Sequence, residues 1–336
     1  MSDDRRTVAE LDERGLLELI FPRLGPDGAL VGPGDDAAVV AAPDGRTVLS
    51  IDTLVQDQDF RLDWAGGYRS SGFDVGWKCA AQNVSDINAM GAVPTSLVVS
   101  LTLPGTTPVG WVEELADGLR AALEGLGADR CGVVGGDLGK GPAVVVTAAV
   151  TGDLEGRAPV LRSGARPGDI LAVAGAPGRA AAGLALLEKA PDYAALPPAL
   201  RRLTGLQSRP VPPLAAGPLA ARAGVHAMMD ISDGLVRDAG RLARAGGVAL
   251  DLDGALLRDF ETELLPAAVL LGADPRNWVL GGGEDHGLLA AFGPEAELPE
   301  GFHAVGSVQA GAPAVTVDGA VPEVLGWDHF RGERRS

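Results

Sequence analysis

At 336 residues the chain exceeds the ~250–300 residues at which a single hydrophobic core usually stops growing, so we expect two domains. Its formal net charge of −17 argues against nucleic acid or an anionic membrane as the main partner, because both attract basic surfaces. Apolar stretches such as 143–150 are shorter than the ~20 residues that span a bilayer. The N-terminal residues lack the apolar core of a signal peptide, so we expect a cytoplasmic protein.

The first half of the chain mixes predicted helices and strands. Apolar residues at helical spacing predict an amphipathic helix over 8–24. Strands over 37–42 and 46–52 are expected to form a hairpin around the turn Pro43-Asp44-Gly45. The remaining predictions are a helix over 71–90, a strand over 95–103, a helix over 109–126, and short strands over 133–134 and 143–151 around a glycine-rich turn.

The second half begins with a polar, turn-rich stretch and then alternates strands with helices. The predicted strands cover 170–174 and 227–231, and the predicted helices cover 179–189, 211–223 and 235–245. We place the domain boundary near Gly152, giving domains of 1–152 and 153–336. Because both halves mix helices and strands, the expected fold class is α/β or α+β.

An aspartate beside Gly or Ser recurs at the ends of apolar strands. It occurs in Gly34-Asp35-Asp36, Ser50-Ile51-Asp52, Gly135-Gly136-Asp137, Asp230-Ile231-Ser232-Asp233-Gly234 and, as an acidic turn, Gly281-Gly282-Gly283-Glu284-Asp285. Each motif alone is most often a turn former or helix cap. Five in one chain favour a shared metal site, since aspartate supplies the hard oxygen that Mg²⁺ prefers. Such ions would let an acidic protein bind a polyphosphate.

The long helix predicted over 71–90 carries a polar face. Lys78, Gln82 and Asp86 follow one another at four-residue spacing, with Asn83 beside them. Two interpretations stay open at this point. The face is either solvated or turned toward the metal site.

Several established site types are missing from the sequence. No P-loop occurs, because Gly139-Lys140 lacks the upstream glycine and the following Ser or Thr. The turn 175–179 joins a strand to a helix, and an ordinary connection is favoured over a phosphate cradle. Four histidines form no zinc set, and no nucleophile elbow is present. Cys79 and Cys131 are expected to be buried, reduced thiols.

The acidic motifs, taken in order, resemble those of the thiamine-monophosphate kinase family, within the superfamily of aminoimidazole ribonucleotide synthetase. Besides the five motifs above, the resemblance rests on Asn83-Val84-Ser85-Asp86, Ala89-Met90-Gly91-Ala92, Arg162-Ser163-Gly164-Ala165, Pro167-Gly168-Asp169 and Trp327-Asp328-His329-Phe330. It implies a homodimer that pairs its N-terminal sheets, and an active site in the cleft between the two domains. It also implies transfer of the γ-phosphoryl group of ATP to thiamine monophosphate.

The resemblance assigns provisional roles residue by residue. The implied Mg²⁺ ligands are Asp36, Ser50, Ile51 through its backbone, Asp52, Asp86, Asp137, Asp230 and Asp233. The implied ATP contacts are Gly136, Asp137, Arg162 and Ser232. Among these, Asp52, Asp137, Arg162 and Asp233 would act in catalysis. Glu284 and Trp327 would line the thiamine pocket, with Asp59 near the substrate phosphate.

The chain departs from the family pattern at three places, which together comprise four residues. Ile51 stands where the family usually has Thr, Asp59 where it usually has His, and His286-Gly287 where it often has Tyr-Glu. Two alternatives therefore stay open: another ATP-using enzyme of the superfamily with a different acceptor, or a non-catalytic binder of nucleotide and metal. A selenophosphate synthetase would need a reactive cysteine near the N-terminus, and a hydrogenase-maturation homologue one at the C-terminus; neither is present.

Overall fold

The computed structural model describes residues 6–11, 13–25, 29–30, 40–324 and 326–327. The chain divides into two units, Met1–Ile87 with Ala92–Gly156, and Asn88–Gly91 with Arg157–Ser336. Among the helices of the described residues, none combines the length and the apolar character that crossing a lipid bilayer requires.

A four-stranded mixed sheet organises the first unit. Its strands are β1 (Val48–Val55), β2 (Val93–Leu103), β3 (Gly132–Lys140) and β4 (Val145–Asp153), in the order β1-β4-β2-β3. The helices that accompany it are α1 (Glu13–Ile20), α2 (Gly72–Ala89) and α3 (Val109–Gly125). β4 runs antiparallel to both of its neighbours, whereas β2 and β3 are parallel.

The N-terminal predictions hold only in part. The single helix predicted over 8–24 is divided into α1 and two 3₁₀ turns, Val8–Glu10 and Phe21–Arg23. Pro22 lies in the second turn and lacks the N–H that would continue an α-helix. The predicted hairpin is wrong where it is described, because 40–42 form no strand and β1 pairs instead with β4; residues 37–39 lie outside the described residues.

The glycine-rich stretch around Gly136 is a strand, which corrects the predicted turn. Gly136 lies inside β3, opposite Val99 of β2. A Cβ at this position would stand 2.1 Å from the carbonyl oxygen of Val99. The glycine therefore serves the close approach of two backbones and not a change of direction.

The second unit contains a six-stranded mixed sheet. Its strands are β5 (Ile170–Ala174), β6 (Ala227–Ile231), β7 (Ala249–Leu252), β8 (Gly287–Phe292), β9 (Phe302–Gln309) and β10 (Ala314–Val317), in the order β10-β7-β9-β5-β8-β6. Its helices are α4 (Arg179–Lys189), α5 (Pro198–Ser208), α6 (Ala216–Arg222), α7 (Leu235–Gly246), α8 (Arg258–Leu271) and α9 (Pro275–Gly281). The α/β fold class with two units is thus confirmed.

Alternate residues of the central strands feed two hydrophobic clusters. Leu171 and Val173 of β5 pack with residues of α4, α5, α7 and α8, while Ala172 and Ala174 pack with residues of α6. The strand over 170–174 and the helix over 179–189 are confirmed to the residue. The helix predicted over 211–223 begins only at Ala216, after Pro212 and Pro213.

Both cysteines are confirmed as free, buried thiols. Cys79 is 0% exposed and Cys131 is 8% exposed. Burial raises the pKa of each thiol to about 12, so neither has the thiolate character of a nucleophile or metal ligand at neutral pH.

Candidate functional site

In the first unit, a short hydrogen bond joins β1 to α2. The hydroxyl of Ser50 donates to Oδ2 of Asp86 at 2.5 Å. Asn83, on the same helix, accepts from the backbone N–H of Asp52 at 3.2 Å and donates to the carbonyl of Cys79 at 2.8 Å. Ser50 and Asp52 are two residues apart and point to the same side of the sheet. The structure therefore brings Ser50, Asp52 and Asp86 together.

The polar face of α2 is buried. Lys78 is 2% exposed, Gln82 8% and Asn83 0%, so the interpretation as a solvated face is wrong. Nζ of Lys78 donates to the backbone carbonyl of Asp59 at 2.8 Å. These contacts show that the face is turned toward β1 and the loop that follows it. They also provide the hydrogen-bond partners that buried polar groups need.

Asp59 organises the turn after β1. Its Oδ2 accepts from the backbone N–H of Val55 at 2.8 Å, and its own N–H donates to the carbonyl of Val55 at 2.9 Å. An aspartate that binds backbone within four residues is a usual turn former. In this structure Oδ2 of Asp59 therefore binds within its own loop.

Gly136 and Asp137 lie on the edge strand β3. Asp137 is exposed and is paired with Ser100 of β2. With the order β1-β4-β2-β3, three inter-strand spacings, about 14 Å in all, separate β3 from β1. Within the first unit Asp137 is therefore not brought beside Asp52.

In the second unit, three loops meet at the ends of β6 and β8. The segment after β6 is joined to the segment before β8 by the N–H of Glu284, which donates to Ser232 O at 2.8 Å. It is joined to residues 326–327 by the N–H of Trp327, which donates to Asp233 O at 2.9 Å. A Cβ on Gly283 would stand 2.3 Å from Ser232 O, so only glycine allows this approach. Five residues predicted for the site therefore lie on these neighbouring segments: Asp230, Ser232, Asp233, Glu284 and Trp327.

Glu284 has an unusual backbone conformation. Its φ is +68° and that of His286 is +52°, in the left-handed region that residues other than glycine rarely adopt. Oε2 of Glu284 accepts from Nε2 of the buried Gln207 at 3.2 Å. Strained backbone of this kind concentrates at functional sites, where surrounding contacts hold it in place.

Asp285 has a structural part in the same loop. Its two carboxylate oxygens accept from the N–H groups of Gly178 at 2.6 Å and Ala180 at 2.7 Å, at the start of α4. Burial raises the pKa of this carboxyl to about 7, although both hydrogen bonds act to lower it. The turn 175–179 is therefore an ordinary strand-to-helix connection whose amides bind Asp285.

Asp233 belongs to a network at the start of α7 that the sequence did not reveal. Nη2 of Arg241 donates to Oδ2 of Asp233 at 2.5 Å, and Nη1 donates to Oδ1 of Asp238 at 2.5 Å. Oδ2 of Asp238 accepts from the N–H groups of Ser232 at 3.0 Å and Asp233 at 2.9 Å. Burial raises the pKa of Asp238 to about 7. In the sequence, the only indication of this network was that Asp238 is an acid in the first turn of the predicted helix 235–245.

The other predicted residues of this unit lie on or beside β6. Asp230, at 4% exposure, has its Oδ2 3.8 Å from Nδ1 of His286. Arg162 is exposed and follows Leu161, whose carbonyl accepts from the N–H of Met228 at 3.1 Å.

Two predicted residues of the first unit remain. Ile51 is 64% exposed. Asp36 lies outside the described residues.

No group of three or more His, Cys, Asp or Glu side chains able to hold a metal ion occurs among the described residues. Mg²⁺ is usually held by one or two carboxylates together with water and substrate phosphates. The oxygen donors of Ser50, Asp52 and Asp86 are of the required type, as are those of Asp230 and Asp233.

Two family models match the chain. The N-terminal domain of the AIR synthase related proteins matches residues 34–154, and their C-terminal domain matches residues 166–311. These matches follow the same order along the chain as the two units of the structure.

Curated relatives and solved structures match nearly the whole chain. A thiamine-monophosphate kinase of Mycobacterium tuberculosis is 45% identical over 98% of this chain and 95% of its own length. One of Corynebacterium glutamicum is 38% identical over 97% of this chain and 96% of its own. The structure of AaThiL complexed with AMPPCP and TMP is similar with a TM-score of 0.76 and 32% identity, covering 98% of this chain and 100% of that one.

Proposed function

The chain belongs to the thiamine-monophosphate kinase family and is an enzyme of that class, and we propose that it transfers the γ-phosphoryl group of ATP to thiamine monophosphate. The products are thiamine diphosphate and ADP. The observation that carries the proposal is the meeting of Asp230, Ser232, Asp233, Glu284 and Trp327 at one end of the second sheet, in a chain 45% identical to a named kinase.

The chemistry of the acceptor suits these residues. The nucleophile is an oxygen of a phosphate monoester, whose second pKa is about 6, so it is already largely ionised at neutral pH. The reaction therefore needs no strong general base. It needs two anions to be held in line and their repulsion to be reduced.

Carboxylate oxygens, together with the hydroxyl of Ser50, would hold Mg²⁺. Ser50, Asp52 and Asp86 in the first unit, and Asp230 and Asp233 in the second, offer oxygen donors in small groups. When bound, magnesium would neutralise charge on the phosphate oxygens. Asp36 and Asp137 are proposed as further ligands, and Gly136, Arg162 and Ser232 as contacts for ATP.

Glu284 and Trp327 suit the organic part of the acceptor. Thiamine carries a cationic thiazolium ring, which favours a carboxylate and an aromatic face. Glu284 is oriented by Gln207, and the backbone of Trp327 is fixed to Asp233 in the adjoining loop. We therefore propose that both residues contact the thiamine moiety.

The departure at Asp59 fits the same acceptor. A carboxylate facing the substrate phosphate would repel it, but Asp59 accepts the N–H of Val55 in its own turn. This hydrogen bond reduces the repulsion between the carboxylate and a phosphate. We therefore propose thiamine monophosphate as the acceptor despite this departure.

We also propose that the enzyme is a homodimer. The sheet of the first unit exposes Leu49 at 68%, Ile51 at 64% and Val98 at 45%. Exposed apolar side chains in one region mark interaction surfaces, and a second copy is the partner that the family resemblance implies. Light scattering of the wild type and an Ile51→Glu variant tests this, with a monomeric wild type contradicting it.

The decisive assay incubates the protein with ATP, Mg²⁺ and thiamine monophosphate and measures thiamine diphosphate and ADP. We expect stoichiometric formation of both products, and loss of turnover in Asp137→Asn with an unchanged unfolding temperature. Binding of ATP without product would favour the non-catalytic binder. Full activity of Asp137→Asn would exclude Asp137 from the metal site.

A further inference from the structure

A cleft lies beside α7, next to Asp233, and the described residues that line it include none of those proposed to hold ATP, metal or acceptor. It has a volume of about 350 Å³ and is bounded by α7, by the start of β10 and by Val321 and Pro322. Arg237, Arg241 and Arg244 line its helical wall. Their spacing of four and three residues places all three on one side of the helix.

The charge of this cleft is opposite to that of the chain. The described residues that line it include three arginines and no acid, whereas the whole chain has 45 acidic and 28 basic residues. Asp233 and Asp238 partly neutralise the charge of Arg241, and Nε of Arg237 lies 3.9 Å from Oδ2 of Asp233. Arg244 is exposed, so its charge is presented to a solute.

The absence of a side chain at Gly240 leaves room at the base of the cleft. Nη1 of Arg244 lies 3.3 Å from the place where a Cβ of Gly240 would stand, so the guanidinium extends over the helix backbone. Cγ2 of Val315 on β10 lies 3.9 Å from the same point, on the facing wall. The guanidinium of Arg244 therefore stands above Gly240, with Val315 on the facing wall.

We propose that this cleft binds an anion that carries two or more linked phosphate groups. Guanidinium groups offer paired N–H donors that match phosphate oxygens, and several together are needed to hold a multiply charged group. The volume suits a small ligand and not a macromolecule. The phosphates can belong to inorganic pyrophosphate or to a nucleoside diphosphate, whose organic part would lie on Val315 and Val321.

Calorimetric titration of the whole chain tests the proposal in EDTA, with pyrophosphate and ADP as separate probes. Without divalent ions, the carboxylates of the proposed kinase site repel phosphate, so binding there is weak. We expect saturable binding of one molecule per chain. If ADP binds more tightly than pyrophosphate, the ligand is a nucleotide. If ADP binds equally or more weakly, the cleft recognises the linked phosphate groups alone.

Variants locate the binding. Arg244→Gln removes one guanidinium, and Ala314→Glu adds a carboxylate on the facing wall; each should weaken binding at least ten-fold. Arg222→Gln, at an exposed arginine of α6, is the matched control and should bind as the wild type does. Absence of binding overturns the proposal. So does binding that survives Arg244→Gln and Ala314→Glu but is lost in Arg162→Gln. Neither result depends on kinase activity.

Discussion

Nη1 of Arg241 donates a hydrogen bond of 2.5 Å to Oδ1 of Asp238, one helical turn earlier on α7. The other oxygen of Asp238 holds the backbone N–H groups of Ser232 and Asp233, while the same arginine holds the side chain of Asp233. Asp238 is 0% exposed. Arg241 and Asp238 therefore fix both the backbone and the side chain of a loop that supplies proposed ligands for ATP and metal.

The first prediction concerns Asp238→Asn. A carboxamide has one acceptor oxygen for three donors, so it loses a hydrogen bond and leaves Arg241 without its full counter-charge. We expect kcat to fall at least ten-fold and the free energy of unfolding to drop by about 1–3 kcal/mol. Steady-state kinetics and urea denaturation measure the two effects.

The control for this substitution is Asp259→Asn, at an exposed acid in the first turn of α8. Asp259→Asn should change neither kcat nor the free energy of unfolding. The effect on kcat should persist at temperatures where both proteins are fully folded. A variant that is less stable but has the wild-type kcat would show that Asp238 supports the fold alone.

The second prediction concerns the pair of Ser50 and Asp86. Ser50→Ala removes the donor, and Asp86→Asn removes the charge that the proposed metal site needs. We expect kcat/KM to fall about ten-fold for Ser50→Ala and at least ~100-fold for Asp86→Asn, because the second change weakens metal binding directly. Titration with Mg²⁺ should show a raised half-saturating concentration for both.

A surface acid supplies the comparison for Asp86. Asp63 is exposed and forms its ion pair with the exposed Arg69 at 2.7 Å, so Asp63→Asn should leave the Mg²⁺ dependence unchanged. Equal effects of Asp63→Asn and Asp86→Asn would point to overall charge as the cause and would contradict a local site.

The third prediction distinguishes the role of Asp59 in its own turn from an effect of Asp59 on substrate binding. Asn retains an oxygen for the N–H of Val55, whereas Ala does not. We expect Asp59→Asn to be nearly as stable as the wild type and Asp59→Ala to lose about 1 kcal/mol. The KM for thiamine monophosphate should change by less than about two-fold in Asp59→Asn. A ten-fold lower KM would instead show that the carboxylate repels the substrate.

The sequence predicted those elements whose ends are marked by local chemistry. β5 and α4 agree to the residue, because an apolar strand, a Gly-Ala-Pro-Gly turn and a helical repeat follow one another. The glycines around Gly136 misled the prediction, since glycine in a turn and glycine at a close backbone approach look identical in sequence.

The candidate site was predicted as separate motifs, and the contacts between them come from tertiary structure. The motifs containing Ser232 and Glu284 are about fifty residues apart in the chain, and only the pairing of β6 with β8 joins them. Gln207 gave no signal, because its role depends on α5 reaching Glu284. Asp285 belongs to an acidic motif of the sequence, but its partners in the structure are the amides of Gly178 and Ala180 at the start of α4.

The last prediction follows from the pKa of Asp285, which burial raises from 3.8 to about 7. A carboxyl whose pKa is higher in the folded state binds more protons there than in the unfolded state. Its contribution to stability is therefore greatest at low pH, declines as pH rises from about 4 to about 7, and is constant above that. Other carboxylates with lowered pKa have the opposite dependence, so the contribution must be isolated by substitution.

Asp285→Asn isolates it, because the carboxamide keeps one acceptor for the amides of Gly178 and Ala180 and does not titrate. Urea denaturation of both proteins between pH 5 and pH 8 gives the difference in free energy of unfolding. We expect the wild type to lose stability relative to Asp285→Asn as pH rises toward 7, with no further change above it. A difference that is independent of pH, or that grows in favour of the wild type, would show that the two backbone N–H groups keep the carboxylate ionised throughout.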